Sequence, residues 1–255
     1  MVSFDTLSIG LDEGIGRLTL DQPDALNPLG SAVLAELAQA ASWFDAQRVP
    51  VVIVTGAGSR SFSSGFDLRE LAAPASDGPG AAELGRRMAD AIADMDAVAI
   101  AAIHGHCIGG GVVLAAACDI RIAADNTVFA IPEVDLGIPL GWGGIPRLVR
   151  EIGPAMTREL VMSCRPFDAQ EAKAIGFVNR VVARDRLDET VTELAATLST
   201  KAPSLLRATK RQVQTAAEAV ASTEGSWSDA ALIGMAQTDP DARAAANAYL
   251  ERRTR

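Results

Sequence analysis

The amino-acid sequence predicts an α/β fold, and three observations support this prediction. Strand-like and helical segments alternate along the chain up to about Gly144. Residues 51–54 form a short run of Val and Ile, which is typical of a strand buried on both faces. Three consecutive glycines, 109–111, separate two apolar runs, and this pattern favours a sharp turn from a strand into a helix.

The N-terminal part of the chain predicts strands first and a helix after them. Residues 4–9 and 15–20 alternate between apolar and polar side chains, with Gly14 between them. They are therefore predicted to form a hairpin or adjacent edge strands. A helix is predicted to run from Ser31, as its N-cap, to about Gln47, because apolar residues recur there at helical spacing.

The rest of the chain continues the alternation and then becomes helical. Residues 73–80 are rich in Pro, Gly, Ser and Ala, and predict a surface loop. From Asp185 only helical patterns remain, interrupted at Pro203 and Pro240. The other predicted elements are a helix from about Ala81 to Met95, a strand at 98–103, a short helix ending at Ala117, a strand at 119–123 and a small strand at 179–182.

Composition limits the class of protein. A chain of 255 residues with 49% hydrophobic and 22% charged residues can bury one substantial core and an appendage. Its net charge of −9 argues against a nucleic-acid partner, which requires clustered Lys and Arg. The sequence predicts no secretory signal and no membrane span.

Cysteine and histidine usage predicts no metal site. The odd number of cysteines, without metal-type spacing, is typical of reduced thiols in a cytoplasmic protein. His104 and His106 are too few to hold a metal without clustered partners, so a structural role is predicted for both.

The glycine triplet is the strongest candidate for a functional motif. A helix that begins at these glycines exposes backbone N–H groups, and its N-terminus carries a partial positive charge. This geometry suits a phosphate or a developing oxyanion. The sequence therefore predicts an enzyme whose backbone stabilises a transition state.

Four segments together resemble the crotonase superfamily, also called the enoyl-CoA hydratase/isomerase family, over nearly the whole chain. A single glycine triplet is weak evidence, whereas four motifs in this order and at these separations are specific. They are Asp24–Asn27; Ser61–Leu68; Gly109–Gly111 with Ala116–Arg121; and Phe129–Gly137, which runs into Gly143–Leu148.

The resemblance implies a crotonase-like ββα spiral core with a C-terminal helical trimerisation region. We expect the core to span residues 1–195, and residues 196–255 to serve oligomerisation and closure of the active site. The resemblance also implies a homotrimer or a dimer of trimers. It implies a coenzyme A thioester as substrate, with no permanently bound cofactor.

The resemblance also implies an oxyanion hole. The thioester oxygen would lie between the backbone N–H groups of Phe66 and Gly110. Removing a proton beside a thioester carbonyl places negative charge on that oxygen, and preorganised donors stabilise this charge. Phe66 is bulkier than the small residue usual at its position, so we expect it to narrow the pocket.

The catalytic carboxylates distinguish reactions within this family. Its hydratases use two glutamates, which correspond here to Val113 and Glu133. Adding water to a 2-enoyl thioester requires one group that activates water and another that protonates the α-carbon. A shift of a double bond from Δ3 to Δ2 requires one group only, which removes a proton from C2 and returns it to C4. The single glutamate is the pattern expected of an isomerase.

Other readings of the acidic residues stay open. Glu133 is alternatively a helix-entry or loop carboxylate paired with an arginine such as Arg147. If it is the base, Val113, Ile131 and Val134 are expected to supply an apolar setting that raises its pKa. Asp135 is the next acidic candidate, since an extended segment would put it on the same face as Glu133, but a structural role is expected for it. Asp67 is expected to cap the helix that follows it, and Asp119 to be structural.

For coenzyme A, the resemblance points to Ala25, Leu26, Ser63, Ser64 and the segment 66–68, which includes Leu68. Gln22 stands where many relatives carry a basic residue, so that phosphate contact is not expected. Tyr249 and Arg252 would close over the cofactor, although Arg252 is equally explained as part of a solvated cationic helix end. Gly109 and Val113 line the predicted site, and Trp142 lines the acyl pocket or packs in the core.

The sequence thus predicts an acyl-CoA enzyme that shifts a double bond by proton transfer through one glutamate. The alternatives are an enoyl-CoA hydratase, another CoA-thioester reaction such as hydrolysis or decarboxylation, and a non-catalytic acyl-CoA-binding protein.

Overall fold

A computed structural model describes residues 3–71 and 80–253, and it confirms the α/β class. The strands are β1 (Leu7–Asp12), β2 (Ile15–Leu20), β3 (Val51–Gly56), β4 (Ser61–Ser63), β5 (Val98–Ile103), β6 (His106–Ile108), β7 (Ile120–Ala124), β8 (Val128–Ala130), β9 (Phe167–Asp168) and β10 (Arg180–Val182). The helices are α1 (Ser31–Gln47), α2 (Leu68–Leu71), α3 (Ala81–Asp94), α4 (Gly110–Ala117), α5 (Gly144–Ser163), α6 (Ala169–Ala174), α7 (Leu187–Ser199), α8 (Pro203–Val220), α9 (Asp229–Thr238) and α10 (Pro240–Arg253).

The larger sheet has the order β1-β2-β3-β5-β7-β10 and carries helices on both faces. The predicted hairpin is confirmed as the antiparallel pair β1 and β2, and the other neighbours are parallel. In β3, Val51 and Ile53 pack with α7, whereas Val52 and Val54 pack with α1 and α3. Alternate side chains enter opposite layers, which explains why this strand is apolar throughout.

A second sheet, of order β4-β6-β8-β9, was not predicted from the sequence. Its strands have two or three residues each, too few for an alternating pattern to be recognised. This sheet positions the site, because β6 leads directly into the glycine turn and β8 ends shortly before Glu133.

The first strand and the first helix begin differently from the prediction. The first strand begins at Leu7, not at Phe4. Ser31 is the first residue of α1 and not its cap: Gly30 occupies the N-cap position. The Ser31 backbone N–H instead donates to both carboxylate oxygens of Glu70, each at 3.0 Å, and the Ser31 hydroxyl also donates to Glu70. A carboxylate distant in sequence thus satisfies the helix N-terminus.

We expect Glu70→Ala to lower the free energy of unfolding by about 1 kcal/mol, the usual effect of losing a helix cap. Urea unfolding of the two proteins measures this difference. Glu70→Gln is the control, because its amide oxygen still accepts from Ser31. Equal stabilities for the wild type and Glu70→Ala would contradict this account of how α1 begins.

The C-terminal helices follow the sequence prediction closely. Pro203 and Pro240 are the first residues of α8 and α10, where a missing N–H does no harm. The buried Lys210 ammonium of α8 donates to Asp119 at 2.8 Å, and Asp119 also accepts from the backbone of Ala99, which explains its structural role. The division expected between residues 195 and 196 falls within α7 and stays a prediction. None of the helices in the described ranges is long and apolar enough to cross a membrane.

Candidate active site

A cavity of about 920 Å³ lies where the glycine turn meets the C-terminal helices. It brings together five of the residues singled out from the sequence, which are Phe66, Gly110, Val113, Glu133 and Trp142. Most of its other walls are apolar. They include Leu136, Ile138, Pro139 and Leu140 from the segment after Glu133, and Ala230, Ile233, Ala236, Ala242 and Ala246 from α9 and α10.

The glycine turn gives α4 an open N-terminus at this cavity. Gly109 is the N-cap, with φ +51°, and its N–H donates to the Ala130 carbonyl at 2.8 Å. Gly110 is the first residue of α4, so its N–H has no intrahelical acceptor. A Cβ at Gly109 would lie 2.5 Å from Glu133 Oε1. Only glycine allows the carboxyl of Glu133 to approach the turn this closely.

The chain segment that carries Phe66 lies directly against this turn. Gly65 has φ +85°, and a Cβ there would lie 2.6 Å from the Ile108 carbonyl oxygen and 3.5 Å from the Gly110 nitrogen. The Leu29 N–H donates to the Gly65 carbonyl at 2.8 Å, which fixes this segment from the other side. The backbones before Phe66 and at Gly110 are therefore in contact, and both residues line the cavity.

The carboxyl group of Glu133 is buried in the cavity wall. Burial raises its pKa from the usual 4.5 to about 7. Its Oε2 atom is inaccessible and has no hydrogen-bond partner among the described residues. The alternative pairing with Arg147 is wrong, because Arg147 forms its ion pair with Asp90 at 2.8 Å.

The apolar surroundings of Glu133 differ in part from the prediction. Val113 and Ile131 are buried as expected, but Val134 is 44% exposed. Leu136 and Leu140 are buried cavity residues and supply apolar surface where Val134 does not.

Asp135 does not share a face with Glu133. Residues 133–137 form a turn, in which the Ile138 N–H donates to the Glu133 carbonyl at 3.0 Å, and not an extended strand. The turn leaves Asp135 exposed while Glu133 is buried. Asp67 behaves as expected, since its carboxylate accepts the Arg69 N–H at the start of α2.

Trp142 is both a wall of the cavity and a packed core residue. Its side chain is 7% exposed and lies edge-on to Phe66, with ring centroids 6.2 Å apart. A Cβ at Gly110 would lie 2.3 Å from the indole ring, and one at Gly85 of α3 would lie 2.1 Å from it. The two readings of Trp142 made from the sequence are therefore compatible.

Phe66 lines the cavity, whereas the other residues predicted for coenzyme A lie outside its described lining. Ala25 is exposed and Leu26 is half-buried, and the Leu26 carbonyl accepts the Ser64 N–H at 2.9 Å. The Ser63 hydroxyl is buried and donates to the Asn27 carbonyl at 2.8 Å, so it supports the turn internally. Leu68 is half-buried at the start of α2.

The C-terminal contribution to the cavity differs from the one expected. Tyr249 is half-buried on α10 but outside the cavity lining. The side chain of Arg252 lies outside the described residues, as do residues 73–79 of the predicted loop. The helices instead contribute Gln237 and Arg243, which sequence reasoning missed. The sequence did contain one sign that α10 lines a cavity: the small residues Ala242 and Ala246 are one helical turn apart, beside Arg243.

The described part of the chain contains no group of three His, Cys, Asp or Glu side chains placed to hold a metal ion. His104 is buried, and its Nε2 lies 3.1 Å from the Gly58 carbonyl oxygen. Burial lowers its pKa, as expected for a neutral structural histidine.

Comparisons with known proteins agree with this geometry. The profile of the enoyl-CoA hydratase/isomerase family matches residues 10–255. A crotonyl-CoA hydratase of Syntrophomonas wolfei is 33% identical over 264 residues, which cover 99% of this chain and 97% of the relative. A carnitinyl-CoA dehydratase of Escherichia coli K12 is 38% identical over 219 residues, with 84% and 82% covered. The crystal structure of an enoyl-CoA hydratase from Bacillus anthracis superposes with a TM-score of 0.77 at 32% identity, covering 82% of this chain and 83% of that one. This chain belongs to the enoyl-CoA hydratase/isomerase family, and its core has the crotonase fold.

Proposed function

We propose that this protein shifts the double bond of a 3-enoyl-CoA thioester to the 2-position, with Glu133 as the group that moves the proton. The observation that carries the proposal is one buried carboxyl, without a hydrogen-bond partner at Oε2, facing a cavity that has Val113 where family hydratases have a second glutamate. Glu70 also lines the cavity, but both its oxygens accept from Ser31 at the start of α1.

The backbone N–H groups of Phe66 and Gly110 would hold the thioester oxygen. Both residues line the cavity, and Gly110 stands at a helix N-terminus, which favours negative charge. Donors of this kind contribute most when charge develops on the oxygen in the transition state. The exposed Ala25 and the half-buried Leu26 and Ser64 would carry the coenzyme A portion of the substrate.

The proton transfer balances on a single carboxyl group. The Glu133 carboxylate takes a proton from C2, and the electron pair of that C–H bond moves into the thioester to give a dienolate. The protonated carboxyl then delivers the proton to C4, which leaves the double bond between C2 and C3 and restores the carbonyl. A pKa of about 7 suits both halves of this cycle, because neither protonation state is strongly disfavoured near neutral pH.

Hydration of a 2-enoyl thioester is the second candidate. It is favoured by the relative named crotonyl-CoA hydratase, which matches nearly the whole chain. Water addition would require Glu133 to act without the second carboxyl, in surroundings made apolar by Val113, Leu140 and Trp142. We therefore expect hydration to be slower than the double-bond shift.

Turnover of matched thioesters tests the proposal. Purified protein is given 3-hexenoyl-CoA or 2-hexenoyl-CoA, and the products are separated by chromatography. We expect 3-hexenoyl-CoA to be converted to the 2-enoyl isomer with a higher kcat/KM than that for conversion of the 2-enoyl thioester to its 3-hydroxy product. Faster hydration would overturn the isomerase assignment, and turnover of neither compound would overturn both candidates.

We expect Val113→Glu to raise the rate of hydration by about 10²-fold or more, the usual contribution of a well-placed acid–base group. The new carboxyl would stand in the first turn of α4, and Val113 and Glu133 line the same cavity. Val113→Gln is the control, because it adds similar bulk without an acid–base group. Equal hydration rates for the two variants would contradict the idea that the missing carboxyl limits hydration.

We also propose that the chain assembles as a homotrimer or a dimer of trimers through its C-terminal helices. Large apolar side chains are strongly exposed on this part of the chain, which is typical of a surface buried in an assembly. They include Leu205, Val213, Val220, Trp227 and Met235. Sedimentation equilibrium of the purified protein measures the oligomeric state.

A further inference from the structure

Trp142 contacts both residues whose backbone N–H groups form the proposed oxyanion hole. Its indole lies edge-on to the Phe66 ring, at 83° and 6.2 Å between centroids. The same indole covers Gly110 so closely that a Cβ there would lie 2.3 Å from it. Phe66 and Gly110 come from segments more than forty residues apart, and one side chain spans them.

The backbone holds Trp142 in an unfavourable conformation. Its φ is +62°, in the left-handed region that bulky residues rarely adopt. Two hydrogen bonds maintain this turn: the Gly143 N–H donates to Asp229 of α9 at 2.9 Å, and the Gly144 N–H donates to the Gly141 carbonyl at 2.9 Å. Strain of this kind persists where surrounding structure imposes it, and it is concentrated at functional sites.

The indole of Trp142 also packs closely against α3. Gly85 of α3 presents its backbone to the ring, and a Cβ there would lie 2.1 Å from it. The ring thus packs against both α3 and α4, and only 7% of the residue's surface is exposed. A closely packed ring restricts the positions of the residues that it contacts, because protein interiors have little free volume.

We infer that Trp142 is a positioning residue that sets the separation of the Phe66 and Gly110 amides, an inference that rests on the proposed function. Phe66 is held through its side chain, and Gly110 through direct contact at its Cα. Two donors act together on one oxygen only when both lie within hydrogen-bond distance of it. A displacement of about 1 Å is enough to cost about 10²-fold in rate.

The test compares Trp142→Leu with the wild type by two measurements. The first is the infrared carbonyl stretch of butanoyl-CoA labelled with ¹³C at the thioester carbon, a saturated ligand that cannot isomerise. Donors on the oxygen lower this frequency. The second is kcat and KM for 3-hexenoyl-CoA. We expect Trp142→Leu to lose most of the frequency shift and about 10–100-fold in kcat, with a much smaller change in KM.

Two further variants separate positioning from simple loss of packing. Trp43→Leu is the matched control, since Trp43 also lies edge-on to a phenylalanine, Phe44, at 5.0 Å, but outside the lining of the cavity. We expect it to keep the frequency shift and kcat. Trp142→Phe retains a ring against Phe66, and we expect it to keep part of the frequency shift. This variant also allows the measurement if Trp142→Leu does not fold.

A double-mutant cycle tests the contact itself. If Trp142 acts partly through the Phe66 ring, then Trp142→Leu costs less in a Phe66→Leu background than in the wild type. Strictly additive losses, or an unchanged carbonyl frequency in Trp142→Leu, would overturn the inference and leave the proposed function intact. A wild-type complex with no frequency shift and no isomerisation would instead overturn the proposed function.

Discussion

Replacing Glu133 by glutamine is expected to lower kcat for 3-hexenoyl-CoA by about 10²–10⁴-fold, the usual contribution of a general acid–base group. Glutamine keeps the shape of the side chain but can neither take the C2 proton nor deliver one to C4. Binding is expected to persist, since the proposed thioester contacts are backbone N–H groups. Fixed-time assays give kcat, and isothermal titration calorimetry with butanoyl-CoA gives Kd.

The pH dependence of kcat/KM in the wild type is a second test of the role proposed for Glu133. Because the active form of the base is the carboxylate, kcat/KM is expected to rise with pH and to level off above a pKa of about 7. Asp135→Asn is the control variant, because it removes the exposed carboxyl two residues further along the same turn. Full turnover in Glu133→Gln, or a profile that is flat between pH 5 and 9, would exclude Glu133 as the base.

Replacing Glu133 by glutamine is expected to favour the folded state more at alkaline pH than at acid pH. The pKa of Glu133 is raised from 4.5 to about 7 on folding, so the native state favours the protonated form. This contribution to stability is fully present below pH 4.5 and is lost as the pH rises through 7. The wild type is therefore expected to lose about 3 kcal/mol relative to Glu133→Gln across this range.

Urea unfolding of both proteins at a series of pH values measures this effect. The informative quantity is the change with pH in the difference between the two stabilities, because any fixed cost of the glutamine amide cancels. Parallel stability curves would mean that Glu133 ionises in the folded protein as readily as in water. A growing advantage of the glutamine variant above pH 5 would show that a group needed for turnover costs stability.

The hydrophobic pattern of the sequence predicted most strands of the larger sheet, because these strands are long enough to show it and pack against apolar helix faces. β3 and β5 have helices on both faces, and their residues are therefore apolar almost throughout. The second sheet escaped prediction, since strands of two or three residues carry no period. Its position depends instead on contacts between distant segments, such as the pairing of β6 with β4 and β8.

The site was predictable where the backbone itself is unusual. Gly65, Gly109 and Gly110 occupy positions where a side chain would collide with a neighbouring segment, so the glycines mark the site in the sequence. Local reasoning failed where a partner came from far away. The residue type of Ser31 predicts a helix cap. In the structure the Ser31 N–H instead donates to Glu70, thirty-nine residues later.

The cavity wall formed by α9 and α10 has a consequence for the order in which this enzyme is made. A ribosome that has synthesised the chain through Val220 has already delivered both sheets, the glycine turn and Glu133. The helices α9 and α10, which close the cavity, come later in the chain. If the proposed function holds, the site is therefore complete only after α9 and α10 have been synthesised, and substitutions in these two helices are expected to alter which acyl groups fit while the glycine turn and Glu133 stay unchanged.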